Sequence, residues 1–237
     1  MKKVELSFIC KTCKEGDKSN DSIKNTNMNI SFEGVEVTEN FSYLGDMLQR
    51  DGGCERAVAE RVRKGWWKFK ELSGILCNRR LGMKMRGVIY RTCVRTVMTY
   101  GCECWPIKKE NEDTLKRAER RMIRMMCGVT LRNRMSSQNL QERLGLSDDI
   151  SGVVRKARLR WFGHVYRRED EVGIKRAFLF DVDGRAGKGR PRKTWGELIK
   201  NDLKDFGLCE NDALDRVLWR NTIRDKPANP RPRGKRQ

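Results

Sequence analysis

Hydrophobic residues change their spacing once along this chain, near residue 50. In KVELSFIC, Val4, Leu6, Phe8 and Cys10 alternate with more polar neighbours, the period of a half-buried strand. A polar stretch follows over residues 11–27. Then MNISFEGVEV sets Met28, Ile30 and Phe32 before Glu33-Gly34 and Val35 and Val37 after it, a hairpin pattern. From Asp51 the spacing becomes three and four. Val58, Val62, Trp66, Phe69, Leu72 and Leu76 recur on one stripe and predict a helix over about 54–76. After Asn78 and Gly82, the stripe Met85, Ile89, Cys93 and Val97 predicts a second helix over about 82–99, with Lys84, Arg91 and Arg95 on its opposite side.

A third helix, about 110–127, turns Leu115, Ala118, Met122 and Met125 or Met126 inward and stops at Gly128. Ser136 or Ser137 opens a short helix. Ser147-Asp148-Asp149 opens a longer one whose inward stripe is Ile150, Val154, Ala157, Trp161 and His164. After the link DGRAGKGRPRK come helices over about 194–205, closed by Gly207, and about 211–224. The final DKPANPRPRGKRQ has neither period nor core and is expected to be disordered. The fold class expected is mainly α, a helical bundle with a small N-terminal β hairpin and a disordered basic tail.

Charge narrows the partners. Of 237 residues, 52 are Lys or Arg and 32 are Asp or Glu, a formal net charge of +20. Such a surplus draws a chain towards polyanions, with RNA and DNA as the expected partners. A membrane surface is disfavoured, because no helix opposes a continuous insertable aromatic face to a basic one. No stretch reaches the roughly 18 apolar residues of a membrane span, and the start has too short an apolar run for a secretory signal. The expected location is intracellular, the nucleus included, where the nine cysteines stay reduced.

The basic residues concentrate in three places. GRAGKGRPRK holds Arg185, Lys188, Arg190, Arg192 and Lys193 without an acid. Gly189-Arg190-Pro191 is similar to the core of a hook that lies in an A/T-rich minor groove, although sequence-blind phosphate contact explains the same residues more simply. In the first helix, Arg61, Arg63, Lys64, Lys68 and Lys70 interleave with Trp66 and Trp67. Trp66 is on the core stripe; Trp67 turns into the basic flank, to stack on a base or to cover the hydrophobic seam. RKARLRWFGHVYRR adds Arg155, Lys156, Arg158, Arg160, Arg167 and Arg168, for phosphate or for solvent.

Other chemistry finds less support. Cys10-Lys-Thr-Cys13 with Cys102 and Cys104 offers four thiolates, but CxC is a poor zinc spacing and free Cys packs as a small apolar residue. Asp148-Asp149 has the form of a metal-binding acid pair, yet stands where acids stabilise a helix start. His164 reads as a core or rim histidine. No Walker loop, GxSxG or HExxH is present, so no catalytic residue, metal or cofactor is predicted.

The order of four segments adds a family. FSYLGDML at 41–48, YGCECW at 100–105, RLRWFGHVYRRED at 158–170 and GKGRPRKTW at 187–195 resemble the C-terminal part of reverse transcriptases from non-LTR, LINE-type retrotransposons, over about Phe41 to Ile223. The resemblance implies that FSYLG closes the palm near a primer-gripping hairpin and that the helices at 54–76 and 82–99 are thumb helices along a duplex. It makes YGCECW the helix exit, with Cys102 and Trp105 packed and Glu103 facing polar neighbours. RWFGHV to GRPRKTW would belong to a downstream region that binds template RNA or target DNA. The divisions expected are 1–50 (the hairpin closing the palm), 51–130 (thumb-like), 131–183 (connecting helices) and 184–237 (basic link, two helices and tail). Lys64, Trp67, Lys84, Arg91 and Arg95 would contact duplex, and Arg185, Lys188, Arg190, Arg192 and Lys193 the backbone further on. The YxDD turn that supplies such an enzyme's metal-binding acids occurs nowhere in the 237 residues, so this chain is expected to bind rather than to polymerise, as a truncated copy. Cys104 stands where a hydroxyl residue is expected, and residues 11–27 form an unusual insert. The rival expectations are a free-standing architectural DNA binder and a zinc-stabilised structural protein.

Overall fold

A computed structural model of the chain describes residues 38–50, 52–169, 173–179 and 193–226. The strands expected over 4–10 and 28–37, and the tail from 227, lie outside them. Strands β1 (Asn40–Tyr43) and β2 (Asp46–Gln49) pair antiparallel, with Asn40 opposite Gln49 and Tyr43 opposite Asp46. Leu44 and Gly45 join them at φ of 47° and 81°, the doubly positive geometry whose twist suits a two-residue hairpin.

Then come α1 (Glu55–Glu71), α2 (Ser73–Leu76), α3 (Met83–Ile89), a π-helical stretch at Tyr90–Arg95, and α4 (Thr96–Met98). The expected helix over 54–76 is thus α1 and α2, and that over 82–99 is one rod with a π segment inside it. Helix α1 buries Ala57, Val58, Arg61, Gly65 and Phe69, with Val62 and Trp66 at the edge. The rod returns antiparallel: Gly65 packs on Met98, and the Arg61 guanidinium lies 4.3 Å over the Tyr100 ring.

The inward face of the rod differs from the expected stripe. Arg86, Gly87, Tyr90, Val94, Arg95 and Met98 are buried, whereas Met85 is exposed and Ile89, Cys93 and Val97 are only half-buried. Two causes combine. The π stretch adds a residue to its turn and brings adjacent Val94 and Arg95 inside together. The inner face is also partly ionic, which an apolar count cannot register: Arg86 Nη1 donates to the Met126 carbonyl at 2.5 Å.

Helix α5 (Lys109–Cys127) ends at Gly128 in the left-handed conformation, and α6 (Ser137–Arg143) is capped by Ser136. Asp149 caps α7 (Ile150–Tyr166), accepting from Gly152 N at 2.8 Å. Its neighbour Asp148 instead pairs with Lys156 at 3.0 Å. After α8 (Gly173–Leu179), a Thr194–Glu197 capping box opens α9 (Trp195–Phe206), and Asp215 caps α10 (Arg216–Asp225).

Among the described residues, two hydrophobic cores result. The larger takes in α1 through the first half of α7, including Phe69, Leu115, Met122, Leu144, Ile150 and Val154. The smaller is built from Leu159 and Phe162 of α7 with Ile199, Phe206, Trp219 and Ile223. Helix α7 therefore belongs to both. Its junction with the larger core is Glu119 of α5. One oxygen accepts from Arg95 Nε and Nη2 at 2.9 and 2.7 Å and from Tyr90 at 3.2 Å, and the other accepts from Ile150 N at 2.7 Å. Burial pushes the Glu119 carboxyl and the Tyr90 hydroxyl up.

Candidate nucleic-acid interface

The motif segments meet along one seam inside the fold. Tyr100 Oη donates to the Leu44 carbonyl at 3.0 Å, Trp105 Nε1 to Asp46 Oδ2 at 3.1 Å, and Arg61 Nη2 to the Gly45 carbonyl at 2.5 Å. The hairpin is thereby fixed to the end of the helical rod. Gly101, at φ 77°, leaves a gap there that a Cβ would fill, 2.7 Å from Asp46 Oδ2. Cys102 and Trp105 are buried, and Glu103 gives its carbonyl to Trp195 Nε1 at 2.7 Å. Trp195 also packs edge-on against Phe178, which meets Phe162 of the RWFGHV segment. The glycine of that segment, Gly163, lies directly under the Trp219 indole.

Positive charge on the surface is narrower than the sequence count suggests. Arg158 is buried against Asp202 at 2.7 Å, Arg155 reaches Asp205 at 3.3 Å, and Arg167 Nη1 donates to the Ala213 carbonyl at 2.6 Å. That leaves Arg160 of α7 and, just past its end, Arg168 exposed, with His164 exposed between them. His164 is not a core residue: its ring stacks on half-buried Trp161 at 5.3 Å, with Arg168 Nη2 3.3 Å from Nε2. On α1 the outward stripe is Arg56, Ala59, Arg63, Trp67 and Lys70, and Trp67 is 77% exposed. Arg63 lies against Glu60 at 2.7 Å, which holds the Glu60 carboxyl below its usual range. The sequence reading missed Arg56, although its offset of seven from Arg63 places both on one face.

Of the residues expected to touch nucleic acid, Trp67, Lys84, Arg91 and Lys193 are exposed. Lys64 is half-buried, with Nζ 3.6 Å from Glu60 and 3.5 Å from the Gly45 carbonyl. Arg95 has to be withdrawn. It is 4% exposed and bound to Glu119, because the π stretch rotates it inward. Arg185, Lys188, Arg190 and Arg192 lie outside the described residues. Arg132 and Arg134, exposed between α5 and α6, were missed; their signal in the sequence is the absence of any acid between Glu119 and Glu142.

Cys102 and Cys104 diverge. Cys102 is buried, and burial with Glu103 nearby pushes its thiol to about 12, whereas Cys104 is exposed. Cys10 and Cys13 lie outside the described residues, among which no three His, Cys, Asp or Glu gather as a metal site. No described helix is long and apolar enough to cross a membrane.

Comparison with known proteins adds one relative. The chain is similar to an uncharacterized transposon-derived protein of Caenorhabditis elegans, 23% identical over 142 residues, which are 57% of this chain and 50% of that protein. It spans about half the length of that curated relative. No family model matches the chain, and no solved structure matches it.

Proposed function

We propose that this chain is the thumb and downstream helical part of a LINE-type, non-LTR retrotransposon reverse transcriptase, and that it holds RNA and DNA on its basic helical surface without catalysing polymerisation. The observation that carries this reading is the outward stripe of α1, where Arg56, Arg63 and Lys70 flank an indole left almost wholly in solvent. Cations two turns apart along one face suit a phosphate backbone, and a free indole suits an unstacked base or a sugar. The packing of the motif segments against one another supports the family resemblance, since a shared fold would require those residues for its seam. The transposon-derived relative agrees with it. No YxDD turn occurs in the 237 residues, so the proposed role is binding.

The test is a salt titration of binding to a labelled DNA duplex. Log K is expected to fall with log salt by about 0.9 for each phosphate neutralised on duplex DNA. Arg56→Gln with Lys70→Gln lowers that slope by up to about 1.8, and Trp67→Ala weakens single-strand binding on the order of tenfold. Salt-independent binding would overturn the proposal, as would primer extension by the purified chain alone. An A/T preference abolished by Arg190→Ala would replace it with an architectural DNA binder.

A further inference from the structure

Between α5 and α6 the chain presents Leu131, which at 78% exposure is the most exposed large apolar side chain among the described residues. The loop holding it is tied at several points. Thr130 N and Oγ1 both donate to Asn133 Oδ1, at 2.8 and 2.9 Å, and Asn133 N donates back to the Thr130 carbonyl. Arg124 reaches up from α5 to both ends, donating to the Thr130 carbonyl at 3.3 Å and the Met135 carbonyl at 3.2 Å. Arg134 is held at φ 47°, one of two positive-φ residues other than glycine among those described. A tip this firmly built is not a side chain left outside by default.

Its surroundings are purely positive. Residues 120–141 contain Arg120, Arg121, Arg124, Arg132 and Arg134 and no acid. Arg132 and Arg134 follow the leucine, are exposed, and form no ion pair among the described residues. A lone leucine is too little apolar area to anchor a membrane, and an acid-free fringe points to a polyanion.

We propose that this loop is a wedge for duplex DNA. Leu131 enters the minor groove and partly unstacks one base step, while Arg132 and Arg134 hold neighbouring phosphates. Single apolar side chains kink B-form DNA in this way, at least cost where a pyrimidine precedes a purine. An RNA duplex offers a wide, shallow minor groove that gives the leucine no walls. The inference rests on the polyanion-binding reading above and adds to it the duplex type and the contact.

The test uses the full chain and a short A/T-rich DNA duplex labelled at both ends, reading binding, bending by energy transfer, and unstacked thymines by permanganate. Wild type is expected to shorten the end-to-end distance and expose thymines at a discrete step. Leu131→Ala keeps affinity within a few-fold and loses both signals. Arg132→Gln with Arg134→Gly, which also relieves the left-handed backbone, keeps the unstacking at saturation but lowers the salt slope by about 1.8. Duplex that stays straight and stacked when bound, or unstacking that survives Leu131→Ala, overturns the wedge and leaves the binding proposal standing. Equal unstacking of an RNA duplex, or Leu131-dependent binding of anionic vesicles without effect on DNA, also overturns it. A wild-type chain that binds no nucleic acid at low salt removes both proposals.

Discussion

Gly163 shows what a motif residue can be for. Its α-hydrogen face carries the Trp219 indole, whose Nε1 donates to the Leu159 carbonyl at 3.2 Å, so a methyl group there displaces a buried ring. Gly163→Ala is expected to cost about 1–3 kcal/mol, read as a lower urea midpoint with unchanged m-value. Cys102 offers a pH test. Its folded thiol is pushed from 9.0 to about 12, so the neutral form is favoured on folding. That contribution is fully present below about pH 9 and is lost as pH rises towards 12. Stability of wild type should therefore fall more steeply between about pH 9 and 11 than that of Cys102→Ala. In the native state at neutral pH, exposed Cys104 and Cys209 should react with a thiol reagent well before Cys54 and Cys102.

Among the elements, the helix ends were the easiest to read and the inner faces the hardest. Asp149, Thr194 and Gly128 act within three residues of themselves, so their signals stay local. The partners of Arg95 and Arg158 stand 24 and 44 residues away, and nothing in a periodic pattern announces them. An apolar count therefore put Arg95 on the surface, and the same blindness made Trp161 and His164 inward residues. Helix α8, with seven residues and no buried side chain, offered no stripe to find. A small hairpin belonged to the expected fold class, but the one at 40–49 was passed over, because its turn, Leu44-Gly45, lacks the Asn-Gly signature. The outward residues Trp67, Lys84 and Arg91 were legible because helix geometry alone places them. Removing one member of the buried pair should be severe: Arg95→Met leaves the Glu119 carboxylate without its counter-ion, at about 3–5 kcal/mol. A double-mutant cycle with Arg95→Met and Glu119→Leu should recover much of the loss.

For the whole molecule, the decisive feature is that α7 serves two cores. Truncating Leu159, fully buried in the smaller one, should cost about 2–5 kcal/mol and lower hydrogen-exchange protection in α1 as well as α10. Loss confined to α9 and α10 would mean that the smaller core opens alone. Among the described residues the bases are also distributed unequally, several being consumed by internal pairs while others stay exposed on α1, on the rod at Lys84 and Arg91, on the α5–α6 loop and along α7. The Trp195 indole, hydrogen-bonded to the Glu103 carbonyl, has a consequence at this scale. It moors the downstream end of the basic run beside the hairpin exit. Lys193, exposed two residues before Trp195, is held with it. A strand held at Lys193 would thereby stay near the hairpin, and its second encounter with the protein would be a short-range search rather than a diffusional one.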